Sequence, residues 1–305
     1  MNSLLGIPIL LIVFNRPELT KKLIKSLRLL KPKKIYIVAD GPRNTDDFNL
    51  CQKTRNLFET EIDWECQLLK KYQENNLGVK FNVSQGIDWF FSLEEKGIII
   101  EDDCEIDSSF FRFCEELLIK YKDNDKIKYI SGNFYFKDSG KNSYYFSRCP
   151  GTHGWASWRR AWKENDINME KWSPVKDFFW LLFFFKLNIV KTHYFYKKFS
   201  LSKKSEIYSW DYQFLYSIWK NNGLIIKPLV NLSKHIGWGD NATHGKGTDR
   251  HSEVRTQEMK FPLVHPNKEK INSKFDDLEL TKIRRVRFFN YLGHKISKKI
   301  INLFN

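Results

Sequence analysis

Cysteine is scarce in this chain and follows no pattern. The five present, Cys51, Cys66, Cys104, Cys114 and Cys149, make an odd count with no C-x-x-C pair. That argues against a disulfide framework and a thiolate zinc site, and points to a reducing cytosol. Long apolar runs are also missing. None approaches the roughly 20 residues that span a bilayer, and residues 178–185, though intensely apolar, are far too short. Residues 4–14 resemble a signal-peptide core. However, no Lys or Arg precedes them, no small-residue cleavage site follows, and they run directly into Asn15-Arg16-Pro17. They read as a first buried strand. There is no internal repeat and no long linker.

What is present sets a different frame. The chain has 305 residues, 42% of them hydrophobic and 16% aromatic, which is enough for a sizeable core. That length suits one α/β unit with appendages. Lys and Arg outnumber Asp and Glu to give a net charge of +15 and a pI near 9.4. Such a balance calls for an anionic partner: nucleic acid, anionic lipid or a phosphorylated small molecule.

The order of elements predicts a parallel sheet. Residues 7–14 form strand one, and Asn15-Arg16-Pro17-Glu18 opens a helix with Pro in its first turn. Residues 35–38 form strand two, ending at the turn Ala39-Asp40-Gly41-Pro42. A further strand is expected over 64–69, and a helix after Gly78, where Val79, Val83, Ile87 and Phe91 recur every four residues. Residues 128–131 read as a strand, 134–146 as an aromatic, polar connection, and 164–205 as an aromatic- and lysine-rich stretch of weak periodicity. A helix starts at Ser209-Trp210-Asp211-Tyr212, and 224–230 is strand-like.

One junction organises the whole. Gly97-Ile98-Ile99-Ile100 is a short apolar run without alternation, the mark of a buried parallel strand, and it runs straight into Glu101-Asp102-Asp103. A buried strand cannot hold three neighbouring charges, so the carboxylates belong at its carboxyl end, where open α/β sheets bind ligands. Hard oxygen donors there suit Mg²⁺ or Mn²⁺ carrying a diphosphate. Arg16 and Asp40 fall at the same edge: Arg16 suits a phosphate, and Asp40 a ribose hydroxyl or a base N–H. Gly78 would admit a ligand to the backbone, and Lys80 would reach a phosphate. Each feature also has an ordinary explanation. The triplet is then a solvated turn with Asp107 or Ser108 capping the next helix, Arg16 a surface cation, Asp40 a turn former and Lys80 a solvated side chain.

These residues together resemble the GT-A-fold glycosyltransferases. The likeness rests on Phe14-Asn15-Arg16 after strand one, Asp40-Gly41 after strand two, Gly78-Val79-Lys80 before a helix, and Ile99-Ile100-Glu101-Asp102-Asp103 before a Phe-rich helix. It is similar to the N-acetylglucosaminyltransferase I type, whose metal motif is also Glu-Asp-Asp. It is similar as well to bacterial family 2-like sugar transferases, through the glycine-rich loop Ile236-Gly237-Trp238-Gly239-Asp240-Asn241-Ala242-Thr243-His244. The resemblance implies an α/β fold with a mostly parallel central sheet flanked by helices, a nucleotide-sugar donor and a Mn²⁺ or Mg²⁺ cofactor. By that likeness Asp103 binds the metal, Asp102 faces the ribose or metal waters, Glu101 sits beside the nucleoside and Asp40 contacts a uracil-like base. Trp210-Asp211 matches a Trp-Asp pair in which the Asp is the catalytic base. The animal enzymes have a second carboxylate next, where this chain has Tyr212, a departure from the pattern.

The expected function is a metal-dependent inverting glycosyltransferase that moves a sugar, from a UDP-sugar by preference, to a hydroxyl of a glycan or lipid-linked glycan. An acceptor hydroxyl is a poor nucleophile, so Asp211 would take its proton. Trp155 and Trp210 would stack on sugar faces, with core packing the alternative. His153 lies in the glycine-flanked loop Gly151-Thr152-His153-Gly154-Trp155 beside them, and His235 and His244 would hold metal or phosphate. Residues 1–270 would form one catalytic domain, with a nucleotide-binding half over 1–133 and an acceptor half over 134–270. The segment 271–305 would be a basic tail. Within it Phe289, Leu292, Ile296, Ile300 and Leu303 form one helical stripe. Lys282, Arg284, Arg285, Arg287, Lys295, Lys298 and Lys299 surround it, and residues 281–305 contain no acid. Such an amphipathic helix suits an anionic membrane surface, which would make the protein cytoplasmic and peripheral. Two other classes fit less well: a non-catalytic nucleotide or sugar binder on the same fold, and a basic nucleic-acid-binding protein, whose phosphate backbone the acidic triplet would repel. A nucleotidyltransferase is a third, but no glycine-rich nucleotidyl loop follows strand one.

Overall fold

A computed structural model describes residues 6–137, 140–237 and 254–286. In chain order the elements are β1 (Ile9–Val13), α1 (Pro17–Arg28), β2 (Lys34–Ala39), α2 (Thr45–Thr60), β3 (Gln67–Tyr72), α3 (Gly78–Leu93), β4 (Lys96–Glu101), β5 (Cys104–Ile106), α4 (Ser109–Lys120) and β6 (Ile127–Ser131). They continue with β7 (Tyr144–Ser147), β8 (Trp155–Trp158), α5 (Arg159–Trp162), α6 (Pro174–Phe184), α7 (Ile189–Lys203), α8 (Asp211–Lys220), β9 (Leu224–Pro228), β10 (Ser233–His235) and α9 (Ser273–Leu278), followed by a π-helical turn, Glu279–Ile283. The chain has the expected α/β architecture. Among the described residues eight strands form one sheet, in the order β3-β2-β1-β4-β8-β6-β9-β7. All but β8 and β7 run in one direction.

The apolar runs explain the layers. Successive side chains of a strand point to opposite faces. Ile9, Leu11 and Val13 of β1 therefore join one cluster with Leu23, Ile24 and Leu27 of α1, Phe58 of α2 and Phe113 of α4. Leu10 and Ile12 join another with Ile87 and Phe90 of α3 and the aromatic side chains of α5 to α8. In β4, Ile98 and Ile100 face the first layer and Ile99 the second. A strand covered on both sides has no polar face, which is why these runs do not alternate. At the edge, β3 is only half-buried, so its polar residues shift the strand to Gln67–Tyr72 from the expected 64–69.

Several expectations need correction. Residues 164–205 contain a helical hairpin, α6 and α7, whose period is masked because α6 is apolar nearly all round. The connection over 134–146 ends in a strand, β7, paired antiparallel with β9. The start of the supposed basic tail is folded in: Leu280 and Val286 are buried in the second cluster, and Phe275 packs against Phe134 and Tyr145. Arg284, expected on the basic face of a membrane-binding helix, instead donates to the carbonyl of Pro150 at 2.9 Å. The stripe from Phe289 to Leu303 lies outside the described residues, as do Arg287, Lys295, Lys298 and Lys299. The five cysteines are free thiols, four of them buried.

The fully buried Lys227 of β9 pairs with Glu279, also buried. Breaking such a pair leaves an uncompensated charge in the interior. Lys227→Met is expected to lower unfolding free energy by about 3–5 kcal/mol, whereas Lys227→Met with Glu279→Leu should recover most of it. Urea unfolding midpoints of the two variants check this.

Candidate functional site

The connections from β1 and β4 leave the sheet on opposite sides of the order β2-β1-β4, and a crevice opens there outside the carboxyl ends of the strands. A cleft of about 860 Å³, counting its open mouth, lies at this point. Residues following β1 (Phe14, Arg16), β2 (Asp40, Arg43) and β4 (Asp102, Asp103) line it, with Glu101 from the end of β4. Gly78, Asn82, His235 and Gly237 complete the wall.

The acidic triplet is held in place from three directions. Asp102 and Asp103 are both buried, 4% and 8% exposed, a placement carboxylates tolerate only when paired. Arg16 Nη1 lies 2.6 Å from Asp103 Oδ2 and 3.1 Å from Asp102 Oδ1. The Phe14 backbone N–H donates to Asp102 Oδ2 at 3.0 Å. His235 Nε2 is 3.1 Å from Asp103 Oδ2. Strand β10 brings that histidine in by pairing antiparallel with β5, so that His235 stands opposite Cys104. Behind it the His153 ring lies 4.9 Å from that of His235, and Ser233 Oγ donates to the His153 carbonyl. Gly237 is required by closeness: a Cβ there would sit 2.6 Å from Asp103 Cβ.

The carboxylates differ in their hold on protons. Burial pushes Asp103 up, but the His235 contact and the Arg16 charge outweigh it and leave it well below the usual carboxylate range. Burial and the Asp103 charge push Asp102 up to about 6, against Arg16 and the Phe14 N–H. Glu101 is raised well above its ordinary value by burial first, then by Asp103, Asp102 and Asp211. Three adjacent carboxyls are thus shifted in different directions by their surroundings.

Asp40 is in the cleft wall, but its oxygens are engaged. They accept from the N–H groups of Gly41 (2.8 Å), Leu77 (2.8 Å) and Gly78 (2.9 Å), and from Asn76 Nδ2 at 3.2 Å. The carboxylate caps α3 from a distance of nearly 40 residues, so the turn-and-cap role describes it better than base recognition. Gly78 has φ of +76° because the chain turns into α3 there, and the group packed on it is the ring of Tyr208, not a ligand. Lys80 points away from the cleft. It is buried, with Nζ 3.2 Å from Ser205 Oγ, and burial lowers its pKa. The ordinary alternative holds after the triplet too, where Asp107 Oδ1 accepts from the Ser109 N–H at 2.9 Å.

Trp155 and Trp210, expected to face a sugar, are core residues. Trp155 is fully buried between Tyr129 (centroids 4.7 Å apart) and Trp210 (5.4 Å). Asp211 begins α8 as expected, accepting from Ser209 Oγ. It does not line the cleft but is close enough for its charge to act on Glu101 and Tyr129. Burial raises its own pKa, opposed by Arg284. His244 lies outside the described residues.

Sequence reasoning missed Asn82 and Arg43. Asn82 is 3% exposed, lines the cleft, and its Oδ1 has no hydrogen-bond partner among the described residues. A buried acceptor left open is costly, so it marks a place for a ligand donor. The one signal was a polar residue one turn after Gly78 within the Val79, Val83, Ile87 stripe. Arg43 lies 5.1 Å from the Phe14 ring centroid and pairs with Asp47.

No protein-family model and no curated protein matches the chain. Among solved structures it is similar to HddC from Yersinia pseudotuberculosis, with 8% identity over 52% of this chain and 79% of that chain and a TM-score of 0.33. It is similar to UDP-glucose pyrophosphorylase complexed with UDP-glucose (10%, 52% and 78%, TM-score 0.31). The inositol-1-phosphate CTP transferase from T. maritima is a third (12%, 57% and 77%, TM-score 0.31). Likenesses this slight carry no argument about activity, which has to be made from the cleft.

Removing the Asp40 carboxylate would strand the buried N–H groups it receives. Asp40→Ala is expected to cost about 1–3 kcal/mol, measured by chemical unfolding, through loosening of the 75–78 turn.

Proposed function

We propose that the chain is a glycosyltransferase of the GT-A type that binds a nucleotide sugar in this cleft. The observation that carries the proposal is the buried acidic pair Asp102–Asp103, gripped by Arg16 and His235 where the sheet order switches. Nucleotide diphosphates seat at such an edge. Asn82 Oδ1 is an open acceptor for a ribose hydroxyl or a base N–H. The proposed donor is a UDP-sugar and the proposed acceptor a hydroxyl of a glycan or lipid-linked glycan. A catalytic domain over 1–270 with halves meeting near 133 belongs to the same proposal.

The donor set fits a divalent ion by its chemistry. Mg²⁺ and Mn²⁺ take oxygen ligands and commonly use only one or two carboxylates, with phosphate and water supplying the rest. Asp103, strongly ionised, and Asp102 beside it would hold the ion, although no three His, Cys, Asp or Glu side chains converge on a metal position among the described residues. Its chemistry would be neutralisation of the departing diphosphate. The chain's own contribution is clearer. Arg16 is a fixed cation at that edge. Glu101, raised well above its usual range by burial and the neighbouring carboxylates, stands beside them at the end of β4. Asp211, raised by burial, is a stronger base than an exposed carboxylate and would take the acceptor's proton. One base on the acceptor side implies direct displacement with inversion.

Nucleotide release from a panel of nucleotide sugars, with Mn²⁺, Mg²⁺ or EDTA, tests this without a known acceptor. Wild type should release nucleotide slowly from one uridine sugar, dependent on metal, and Asp103→Asn should lose it. With acceptor present, Asp211→Asn should fall by about 10²–10⁴-fold while nucleotide binding persists. Binding without turnover under every condition would instead identify a non-catalytic binder. No binding of any nucleotide would discard the proposal.

A further inference from the structure

The outer face of the α6–α7 hairpin carries an apolar stripe that nothing in the described chain covers. Val175 (70% exposed), Phe179 (54%) and Phe183 (70%) stand one turn apart on α6, and Leu187 (65%) and Ile189 (42%) carry the stripe into α7. Single exposed apolar side chains are ordinary; a contiguous patch is not. Of twelve large apolar side chains exposed among the described residues, five fall within residues 175–189. The inner face of α6 is already satisfied. Leu181 is buried, and the buried Asp177 pairs with Lys220 at 2.8 Å and accepts from Tyr216 Oη at 3.0 Å.

Charge identifies the occupant. Residues 174–204 hold seven lysines and one acid, Asp177, which is spent inside the fold. Lys176 flanks the stripe and Lys186 closes its end, while Lys191 pairs with Asp277 and Lys204 with Glu206. A second copy docked on this face would bring lysines against lysines. Phenyl rings bracketed by ammonium groups instead match a bilayer interface, with rings at the acyl boundary and amines among phosphates. We propose that this hairpin lies on an anionic lipid surface. No helix of the described residues is long and apolar enough to cross a membrane, so the contact is interfacial. The inference does not depend on the catalytic proposal. It locates membrane contact on a folded hairpin rather than on the terminal segment.

The test is flotation of the full chain with vesicles of phosphatidylcholine alone and of phosphatidylcholine with about one-third phosphatidylglycerol. The chain should float with the anionic vesicles only, and less at high salt. Phe179→Ser with Phe183→Ser should lower the bound fraction about tenfold, and Lys176→Glu with Lys186→Glu should do so too. Thermal unfolding should stay unchanged, because all four side chains are exposed. The proposal is overturned if the Phe variant floats like wild type, or if wild type fails to float with anionic vesicles. It is equally overturned if ultracentrifugation finds a dimer that the Phe variant disperses and wild type does not float.

Discussion

Two carboxylates buried side by side at the end of β4 dictate what surrounds them. A buried carboxylate is tolerated only with charge and hydrogen-bond partners. Here they come from far apart in the chain: Arg16 and the Phe14 N–H from the end of β1, and His235 from β10. The requirement is met because β1 lies beside β4 in the sheet and because β10 pairs with β5 immediately after the triplet. Gly237 follows from the same closeness, since any side chain there would collide with Asp103. The sheet order and the short second sheet are thus conditions for keeping the triplet at the edge.

Asp40 obeys the same rule at the next strand end, with the opposite consequence. A helix N-terminus opening on a cleft is a ready anion site. In α3 the first N–H groups already go to the Asp40 carboxylate, so the chain supplies its own anion. With Lys80 turned toward Ser205, the arginines in the cleft wall among the described residues are Arg16 and Arg43. Asn82 adds an unmet acceptor. A ligand of the proposed kind would therefore meet two arginines and an open acceptor over α3.

The sequence spoke most clearly where structure is local. Runs such as residues 98–100 are continuous because both faces of the strand are covered, and a run that stops at three acids can only be a strand end. Arg16 and the acidic triplet were legible for that reason. Features that depend on distant partners were not. Nothing near Asp40 announces that Leu77 and Gly78 will turn their N–H groups onto it. Nothing near Trp155 announces Tyr129 on one side and Trp210 on the other. Arg284 sits among cations in the sequence, yet its partner is a carbonyl at residue 150. The α6–α7 hairpin hid for another reason. A helix whose inner face meets the core and whose outer face is also apolar has no polar side to reveal its period.

That hairpin is mechanically joined to the cleft. From α7 the chain passes through Ser205, which meets Lys80, and Tyr208, whose hydroxyl donates to the Leu77 carbonyl at 2.9 Å and whose ring covers Gly78. It then reaches Asp211 at the start of α8. The segment that places this carboxylate is therefore pinned at one end to the turn Asp40 caps and at the other to a helix with an open aromatic face. A surface contact at α6–α7 would hold Asp211 and the cleft rim at a fixed height above that surface. An acceptor anchored in the same surface would then approach as a tethered group, at an effective concentration set by geometry and not by bulk supply.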